Sequence, residues 1–379
     1  MNKKILFLTG TRADFGKLKS LIRICNATKG FDVSIFATGM HLQEQYGYTF
    51  HEIEKSGFCN IHCFANHENG RGMDTTMSKT IEGLSDYIKE NRPDLLVVHG
   101  DRIEALAGSI VGALNNILVA HIEGGEVSGT VDELIRHAVT KMSHLHYVSN
   151  EEAAARLIQM GEIPDSIHVI GSPDMDVMVS ADLPGLDEVK RHYEIPYDEY
   201  GIIMFHPVTT ELDKIKMAAV NLFDAAKQSA LNYVVVYPNN DMGSDYILEA
   251  IHGLNGDSHF RVFPSIRFES FLTLLQSSRL ILGNSSAGIR EAPFYGVPTV
   301  NVGSRQFGRS ANPNILHCSY EADSISNAIR LAMEAGRFES MHTFGVGCSD
   351  LRFIQTLQNS STWNTESQKR FLDIKMNHG

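Results

Sequence analysis

Acidic side chains that could move protons cluster after two apolar runs of this 379-residue chain. Asp101 follows the run 95–98, and Glu123 follows the run 117–120, with Asp132 and Arg136 close behind it. A helix N-cap would explain one such aspartate, but it would not explain the whole cluster. Grouped carboxylates at strand ends are suited to proton transfer at carbon and to stabilising a cationic sugar ring. The pattern therefore indicates acid–base chemistry.

A second type of site is indicated by the residues Gly-Asn-Ser-Ser at 283–286, which follow the apolar run 280–282. We predict a strand, a turn and then a helix, whose N-terminal N–H groups would attract an anion. Ser285 and Ser286 add hydroxyl donors, and Glu291 could bind sugar hydroxyls. This combination suits a nucleotide diphosphate-sugar better than a bare phosphate.

Basic residues after the first apolar run could neutralise such a diphosphate. Arg12 and Lys17 lie in the segment 10–17, whose glycine spacing fits neither a dinucleotide-binding loop nor a Walker loop. Taken alone, the segment is explained equally well as a surface turn with solvated charges. Later strand ends carry His206, Asn239 and Arg305. Seven polar strand ends on one predicted cleft are not explained by helix caps alone.

The elements that must position these residues alternate between strand and helix. Short apolar runs are separated by helical patterns such as 17–28 and 75–90, which is typical of a doubly wound parallel sheet in an α/β protein. A turn-rich segment at 180–185 divides the runs into two series. We predict two Rossmann-like domains facing a central cleft, and a helical tail at 367–375 that packs back on the first domain.

Composition narrows the class of protein. The chain exceeds the usual size of one core, and its hydrophobic fraction of 43% and charged fraction of 21% are ordinary for a globular protein. A net charge of -12 without a basic run argues against nucleic acid or an anionic membrane as partner. No apolar run is long enough to span a membrane, and five irregularly spaced cysteines indicate reduced thiols in the cytoplasm. The group Cys59, His62, Cys63 and His67 is too irregular to predict zinc.

Several motifs together resemble the hydrolysing UDP-N-acetylglucosamine 2-epimerases. They are His-Gly-Asp-Arg (99–102), His-Ile-Glu-Gly-Gly-Glu (121–126), Phe-His-Pro-Val-Thr-Thr (205–210), Gly-Asn-Ser-Ser (283–286) and Arg-Gln-Phe-Gly-Arg (305–309). The resemblance extends from Gly10 to about Asn314. Non-hydrolysing relatives usually begin Gly-Thr-Arg-Pro-Glu, whereas this chain has Gly-Thr-Arg-Ala-Asp-Phe at 10–15, which favours the hydrolysing branch.

This resemblance implies a GT-B fold and the conversion of UDP-N-acetylglucosamine and water to N-acetylmannosamine and UDP, the entry to sialic acid synthesis. It implies an N-terminal domain at 1–172 with the acid–base residues and an oligomer surface, a UDP-binding domain at 173–362, and a C-terminal helix at 363–379. A homodimer or homotetramer is implied, and no cofactor or metal is expected.

The resemblance also assigns residue roles. The catalytic set is Asp101, Glu123, Asp132, Arg136, His41 and His206, with the base and the acid left open among the three carboxylates. The UDP-binding set is Arg12, Lys17, His206, Asn239, Ser285, Ser286, Glu291 and Arg305. Because crowded carboxylates repel each other, we expect them to share at least one proton.

Three alternatives remain. A GT-B glycosyltransferase would share the nucleotide site but would need an acceptor, and a non-catalytic UDP-sugar sensor would not need the acidic cluster. The nearest alternative is a hydrolysing epimerase of UDP-2,4-diacetamido-2,4,6-trideoxyglucose, which serves the legionaminic acid pathway. Some of those relatives have His-Ile-His-Gly-Gly-Glu, whereas this chain has Glu123 at the third position.

Overall fold

A computed structural model describes residues 2–67, 72–127, 131–307, 309 and 312–373. The described chain forms two compact units, each with its own parallel sheet. The first unit contains the chain up to Glu126, Asp132–Val179 and the residues from Phe344 on, and the second contains Ser180–Thr343. The predicted α/β class with two Rossmann-like halves is confirmed.

The sheet of the first unit has seven parallel strands in the order β3-β2-β1-β4-β5-β6-β7. Its central strands are buried on both faces, because their side chains pack into helices on either side, and they therefore appear in the sequence as continuous apolar runs. The strands are β1 (Lys3–Thr9), β2 (Phe31–Ala37), β3 (Ile61–Cys63), β4 (Leu95–His99), β5 (Leu118–Ile122), β6 (Leu145–Val148) and β7 (Ile167–Val169).

The second unit has six parallel strands in the order β10-β9-β8-β11-β12-β13. A buried cluster that includes Phe205, Leu222 and Tyr233 forms its core. The strands are β8 (Tyr200–Met204), β9 (Asn232–Val236), β10 (Phe260–Phe263), β11 (Ile281–Gly283), β12 (Thr299–Val302) and β13 (Ile315–Cys318).

Helices connect most successive strands in both units. The first seven helices and the last one belong mainly to the first unit. The helices are α1 (Arg12–Ala27), α2 (Phe50–Lys55), α3 (Met73–Glu90), α4 (Ile103–Leu114), α5 (Val131–Met142), α6 (Glu151–Gln159), α7 (Pro173–Met178), α8 (Leu186–His192), α9 (Leu212–Gln228), α10 (Ser244–His252), α11 (Phe268–Ser277), α12 (Glu291–Phe294), α13 (Ala322–Ala335) and α14 (Ser349–Gln358).

The domain limits differ from those we predicted. Helix α7 still belongs to the first unit, which ends at Val179 and not at residue 172. The chain also rejoins the first unit at Phe344, earlier than the predicted 363, because α14 packs against α1 and α7. The tail is not helical over the described residues 365–373, so the helix predicted there is wrong. No helix among the described residues is long and apolar enough to cross a membrane.

The tail is anchored on the C-terminal end of α5 by one lysine. The Lys369 ammonium donates hydrogen bonds to the carbonyl oxygens of Thr140 and Ser143, at 2.8 and 2.6 Å, and lies 2.5 Å from Oε2 of Glu162. A cation at a helix C-terminus satisfies carbonyl groups that have no partner inside the helix. Since α5 also carries Asp132 and Arg136 near its N-terminus, this contact helps to fix the helix that bears them.

We expect the change Lys369→Met to lower the free energy of unfolding by about 1–3 kcal/mol, because it leaves buried carbonyl groups without a donor. Arg370→Met is the matched control, since the Arg370 side chain is 77% exposed and its ion pair with Glu366 spans 3.8 Å. Chemical denaturation of both variants checks the prediction. Equal stability of the two would show that the Lys369 anchor contributes nothing.

Candidate active site

The site residues of the first unit follow the carboxyl ends of β1, β4 and β5, next to the point between β1 and β4 where the strand order reverses. Ligands of doubly wound sheets bind beside such a position, at the carboxyl ends of the strands. Asp101 follows β4, Glu123 follows β5, and Asp132 and Arg136 lie on α5. The sheet order thus brings together three chain segments that carry predicted site residues.

Arg136 joins the predicted carboxylates. Its buried guanidinium donates to the Asp101 carboxylate through Nη2 and to the Glu123 backbone carbonyl, at 2.7 Å, through Nη1. Asp132 lies one helical turn before Arg136 on α5 and is partly exposed. The structure therefore links Asp101, Glu123 and Arg136 directly and places Asp132 on the same helix face, since residues four apart are neighbours on a helix.

Glu123 is held in a strained and buried position. Its φ of 63° lies in the left-handed region, which a residue with a side chain rarely adopts. The side chain is buried, and its Oε1 accepts a hydrogen bond from the Ser172 hydroxyl. Strain of this kind persists only where surrounding contacts enforce it, and it occurs often at functional sites. The backbone thus supports the prediction that Glu123 is functional.

His99 is a site residue that our sequence prediction missed. Its Nε2 lies 3.0 Å from Oε2 of Glu123, and its Nδ1 lies 3.0 Å from Oδ1 of Asp14. Burial by itself would lower the pKa of His99, but the Glu123 and Asp14 carboxylates raise it to about 9. The imidazolium therefore separates two carboxylates. Arg136 pairs with Asp101, so a cation lies beside each of the predicted carboxylates Asp101 and Glu123. The shared proton that we expected among the three carboxylates stays a prediction.

His121 supports the turn that carries Asp101. Its Nε2 donates to the Gly100 carbonyl oxygen at 2.8 Å, and its Nδ1 lies 3.0 Å from the Thr140 hydroxyl. Burial is the main reason why the pKa of this residue falls to about 3. A neutral, fully buried imidazole thus fixes the peptide that precedes Asp101.

Two predicted site residues, His41 and Lys17, have hydrogen-bond or ion-pair partners inside the first unit. His41 is fully buried: its Nε2 lies 3.1 Å from the Thr9 hydroxyl and its Nδ1 lies 2.8 Å from the Thr49 hydroxyl. Burial lowers the pKa of His41 to about 4. In this position His41 is enclosed by the protein, and its catalytic assignment stays a prediction. The Lys17 ammonium lies 2.9 Å from the buried Asp174 carboxylate, which argues against its predicted role on the diphosphate.

Arg12 is the other basic residue of the predicted UDP-binding set in the first unit. It is the first residue of α1, directly after the N-cap Thr11. Its Nη2 lies 3.5 Å from Oε1 of Glu52, and its side chain is 18% exposed. Arg12 therefore keeps some exposure at the end of β1, where the strand order reverses.

In the second unit the equivalent position lies between β8 and β11, and Asn284 joins the two strand ends. Its Oδ1 accepts from the His206 N–H at 2.7 Å, and its Nδ2 donates to the His206 carbonyl at 2.9 Å. The backbone N–H of Asn239 in turn donates to Nδ1 of His206 at 3.0 Å. Since Nδ1 accepts this bond, the neutral His206 ring carries its proton on Nε2.

We call Asn284, which joins the ends of β8 and β11, the Asn284 clamp. The other predicted UDP-binding residues of the second unit contact Asn284 or follow it in the chain. Nη1 of Arg305 donates to the Asn284 carbonyl at 3.2 Å. The Ser285 hydroxyl accepts from the Ala287 N–H at 3.3 Å, Ser286 is partly exposed, and Glu291 is buried at the start of α12. The helix predicted after this turn is present but short: a three-residue 3-10 turn is followed by the four-residue α12, with Pro293 inside it.

Metal ligands do not cluster in the described part of the chain, where no group of three or more His, Cys, Asp or Glu side chains could hold an ion. The candidate zinc group of the sequence includes the edge strand β3, on which His62 and Cys63 are exposed.

Two parallel sheets with polar residues at both reversal points define a protein of the GT-B fold class. The family model for UDP-N-acetylglucosamine 2-epimerase matches residues 23–358. The chain therefore belongs to the UDP-N-acetylglucosamine 2-epimerase family, which confirms the family that its motifs predicted.

Relatives and solved structures agree with this assignment. A UDP-N-acetylglucosamine 2-epimerase of Neisseria meningitidis serogroup B is 48% identical, over 99% of this chain and 100% of that protein. A UDP-N,N'-diacetylbacillosamine 2-epimerase (hydrolyzing) of Legionella pneumophila is 34% identical, over 94% of this chain and 96% of that protein. The UDP-GlcNAc 2-epimerase of Methanocaldococcus jannaschii has a similar fold, with a TM-score of 0.81 at 20% identity over 93% of this chain and 99% of that one.

Proposed function

We propose that this chain is a hydrolysing 2-epimerase that converts UDP-N-acetylglucosamine and water to N-acetylmannosamine and UDP. The observation that carries the proposal is the linked set of Asp101, Arg136, Glu123 and His99 at the ends of β4 and β5. Two kinds of relative support hydrolysis: this chain is 34% and 31% identical to two epimerases whose names include "hydrolyzing". The segment 10–15 also lacks the Pro-Glu of non-hydrolysing enzymes.

The carboxylates are suited to the reaction because the C-2 proton of a hexosamine is not acidic. When the C-1–oxygen bond to UDP breaks, the ring gains oxocarbenium character and the C-2 proton can be removed, which leaves a glycal. Water then adds its oxygen to C-1, and a proton adds to C-2 from the opposite face. Inversion therefore requires acid and base groups on both faces, and we assign these roles to Asp101, Glu123 and Asp132.

The leaving UDP needs donors where negative charge develops. We assign this role to Nε2–H of His206, to Ser285, Ser286 and Arg305, and to Arg12. Asn239 holds the His206 ring through its backbone, and Glu291 would bind the ribose hydroxyls. Among the described residues, the tautomer of His206 supports this assignment most directly, because its Nδ1 already accepts a hydrogen bond and Nε2–H remains as the donor.

We infer the cellular setting from the same relatives. This chain is 32% identical to the polysialic acid biosynthesis protein P7 of Escherichia coli, over 95% of this chain and 89% of that protein. We therefore propose that the reaction is the first step of sialic acid synthesis, that it takes place in the cytoplasm, and that the protein works as a homodimer or homotetramer without a cofactor.

A second substrate has specific support. The Legionella relative is named for UDP-N,N'-diacetylbacillosamine, the 2,4-diacetamido sugar nucleotide. Comparing kcat/KM for the two UDP-sugars, with the sugar product identified by mass, tests the choice. We expect UDP-N-acetylglucosamine to be preferred. A higher kcat/KM for the diacetamido UDP-sugar would identify that compound, and not UDP-N-acetylglucosamine, as the substrate.

We expect Asn284→Ala to weaken UDP binding about tenfold, because the ends of β8 and β11 lose their clamp and His206 its fixed backbone. Asn314→Ala is the matched control: Asn314 is equally buried in the second unit, and its Nδ2 donates to the Val297 carbonyl at 2.9 Å, but it does not contact His206. Titration calorimetry with UDP checks both variants. A similar affinity in the two would show that the Asn284 clamp does not serve the UDP site.

A further inference from the structure

A largely buried histidine lies beside the Glu123 carboxylate. His99 is the last residue of β4, its side chain is only 10% exposed, and its two ring nitrogens lie 3.0 Å from carboxylate oxygens of Asp14 and Glu123. A neutral imidazole has one N–H, so it could donate to only one of these oxygens, whereas an imidazolium donates to both. The hydrogen bond to Glu123 and the ion pair with Asp14 therefore favour the charged ring.

Asp14 is built into the fold as the second anion of this arrangement. Its backbone N–H donates to the Thr11 hydroxyl at 3.1 Å, and its Oδ2 accepts from the Gly10 N–H at 2.9 Å. Both contacts fix the carboxylate at the start of α1, next to the end of β4. Asp14 is therefore positioned towards His99 by local structure.

Other charged groups near His99 leave this balance intact. Arg102 and Glu104 line the same small cavity as His99 and form an ion pair at 3.6 Å. The effects of these two opposite charges on His99 therefore largely cancel. On β5, His121 is neutral because its pKa falls to about 3. Arg136 contacts the Glu123 carbonyl and pairs with Asp101. His99 contacts the Glu123 carboxylate itself, at 3.0 Å.

We propose that Asp14 and His99 form a charge relay that keeps Glu123 ionised, so that Glu123 enters the reaction as a carboxylate. The role of Glu123 in the reaction rests on the proposed function. In that reaction the Glu123 carboxylate accepts a proton from the sugar or stabilises its cationic form. The group that donates a proton is then Asp101 or Asp132. His99 is a positioning residue, because it acts through Glu123.

The relay has a defined pH range. Burial lowers the pKa of His99 but the two carboxylates raise it to about 9, above the ordinary value of 6.5. The stabilisation from the charged ring is therefore complete below pH 6.5 and is lost as the pH rises through about 9. Removing the Asp14 charge should lower the pKa of His99 by about one unit.

Two measurements test the relay. The first is proton–carbon NMR of the full chain labelled with 13C-histidine, in which the His99 signal is the one missing from His99→Gln. We expect the ring to remain an imidazolium until about pH 9 in the unchanged protein, and to titrate about one unit lower in Asp14→Asn. A neutral His99 at pH 7, or an unchanged titration in Asp14→Asn, would overturn the proposal.

The second measurement is the pH dependence of kcat. We expect the acidic limb of kcat to move to higher pH in His99→Gln, because Glu123 without its cation binds a proton more readily, so that kcat at pH 7 falls about tenfold or more and recovers at higher pH. In Asp14→Asn the same limb should move by less. UDP affinity should be unchanged in both. A purely structural role would reduce kcat equally at every pH. If NMR shows the relay but no UDP-sugar is consumed, the proposed function fails and the relay stands.

Discussion

Glu123→Gln is expected to lower kcat by about 10²–10⁴-fold while UDP still binds with unchanged affinity. The variant keeps the shape of the side chain but removes its charge and places an amide where Oε1 or Oε2 now accepts from Ser172 or His99. The group that exchanges a proton with the sugar is thereby lost. Steady-state kinetics of UDP release and calorimetry with UDP separate the two effects.

Glu133→Gln is the matched control, because Glu133 belongs to the same acidic stretch of sequence but its side chain is 40% exposed. We expect this variant to stay within a factor of about three of the unchanged enzyme, since exposed ion pairs contribute little. If Glu123→Gln also stayed within that factor, Glu123 would not take part in proton transfer.

Gly283→Ala is expected to lower the free energy of unfolding of the second unit by about 4 kcal/mol or more. Gly283 ends β11 with a φ of 134°, and a Cβ atom there would lie 2.0 Å from the Met204 carbonyl oxygen of β8. Backbone atoms cannot move aside as a side chain could. The strands would separate at the position where Asn284 joins them, so we also expect UDP binding to be lost.

Gly185→Ala provides the comparison within the same unit. Gly185 has a φ of -63°, and its added Cβ would meet no heavy atom within 4 Å. Thermal unfolding of both variants, followed by circular dichroism, measures the difference. Equal melting temperatures would mean that the close approach of β8 and β11 at Gly283 is not required.

The sequence predicted the central strands well because they are buried on both faces. The runs 95–98 and 280–282 overlap β4 and β11. The edge strand β3 escaped prediction because its residues Ile-His-Cys at 61–63 are only half covered and form no apolar run. The helix predicted after Gly-Asn-Ser-Ser is present only as the four-residue α12.

The candidate site shows a similar limit. Motifs identified Asp101, Glu123 and Arg136, which the structure brings together. They could not show that His99, although it lies in the quoted motif at 99–102, contacts Asp14 on a different element. Pairing across the sheet is set by strand order, which local spacing does not reveal. Residues such as His41 are buried by the same long-range packing.

The central claim is that the enzyme removes the proton from C-2 and hydrolyses the bond to UDP. Proton NMR of the full chain with UDP-N-acetylglucosamine in deuterium oxide tests both steps at once. We expect free UDP together with N-acetylmannosamine that carries deuterium at C-2. UDP-N-acetylmannosamine as the product, or N-acetylmannosamine that keeps its original C-2 proton, would contradict it.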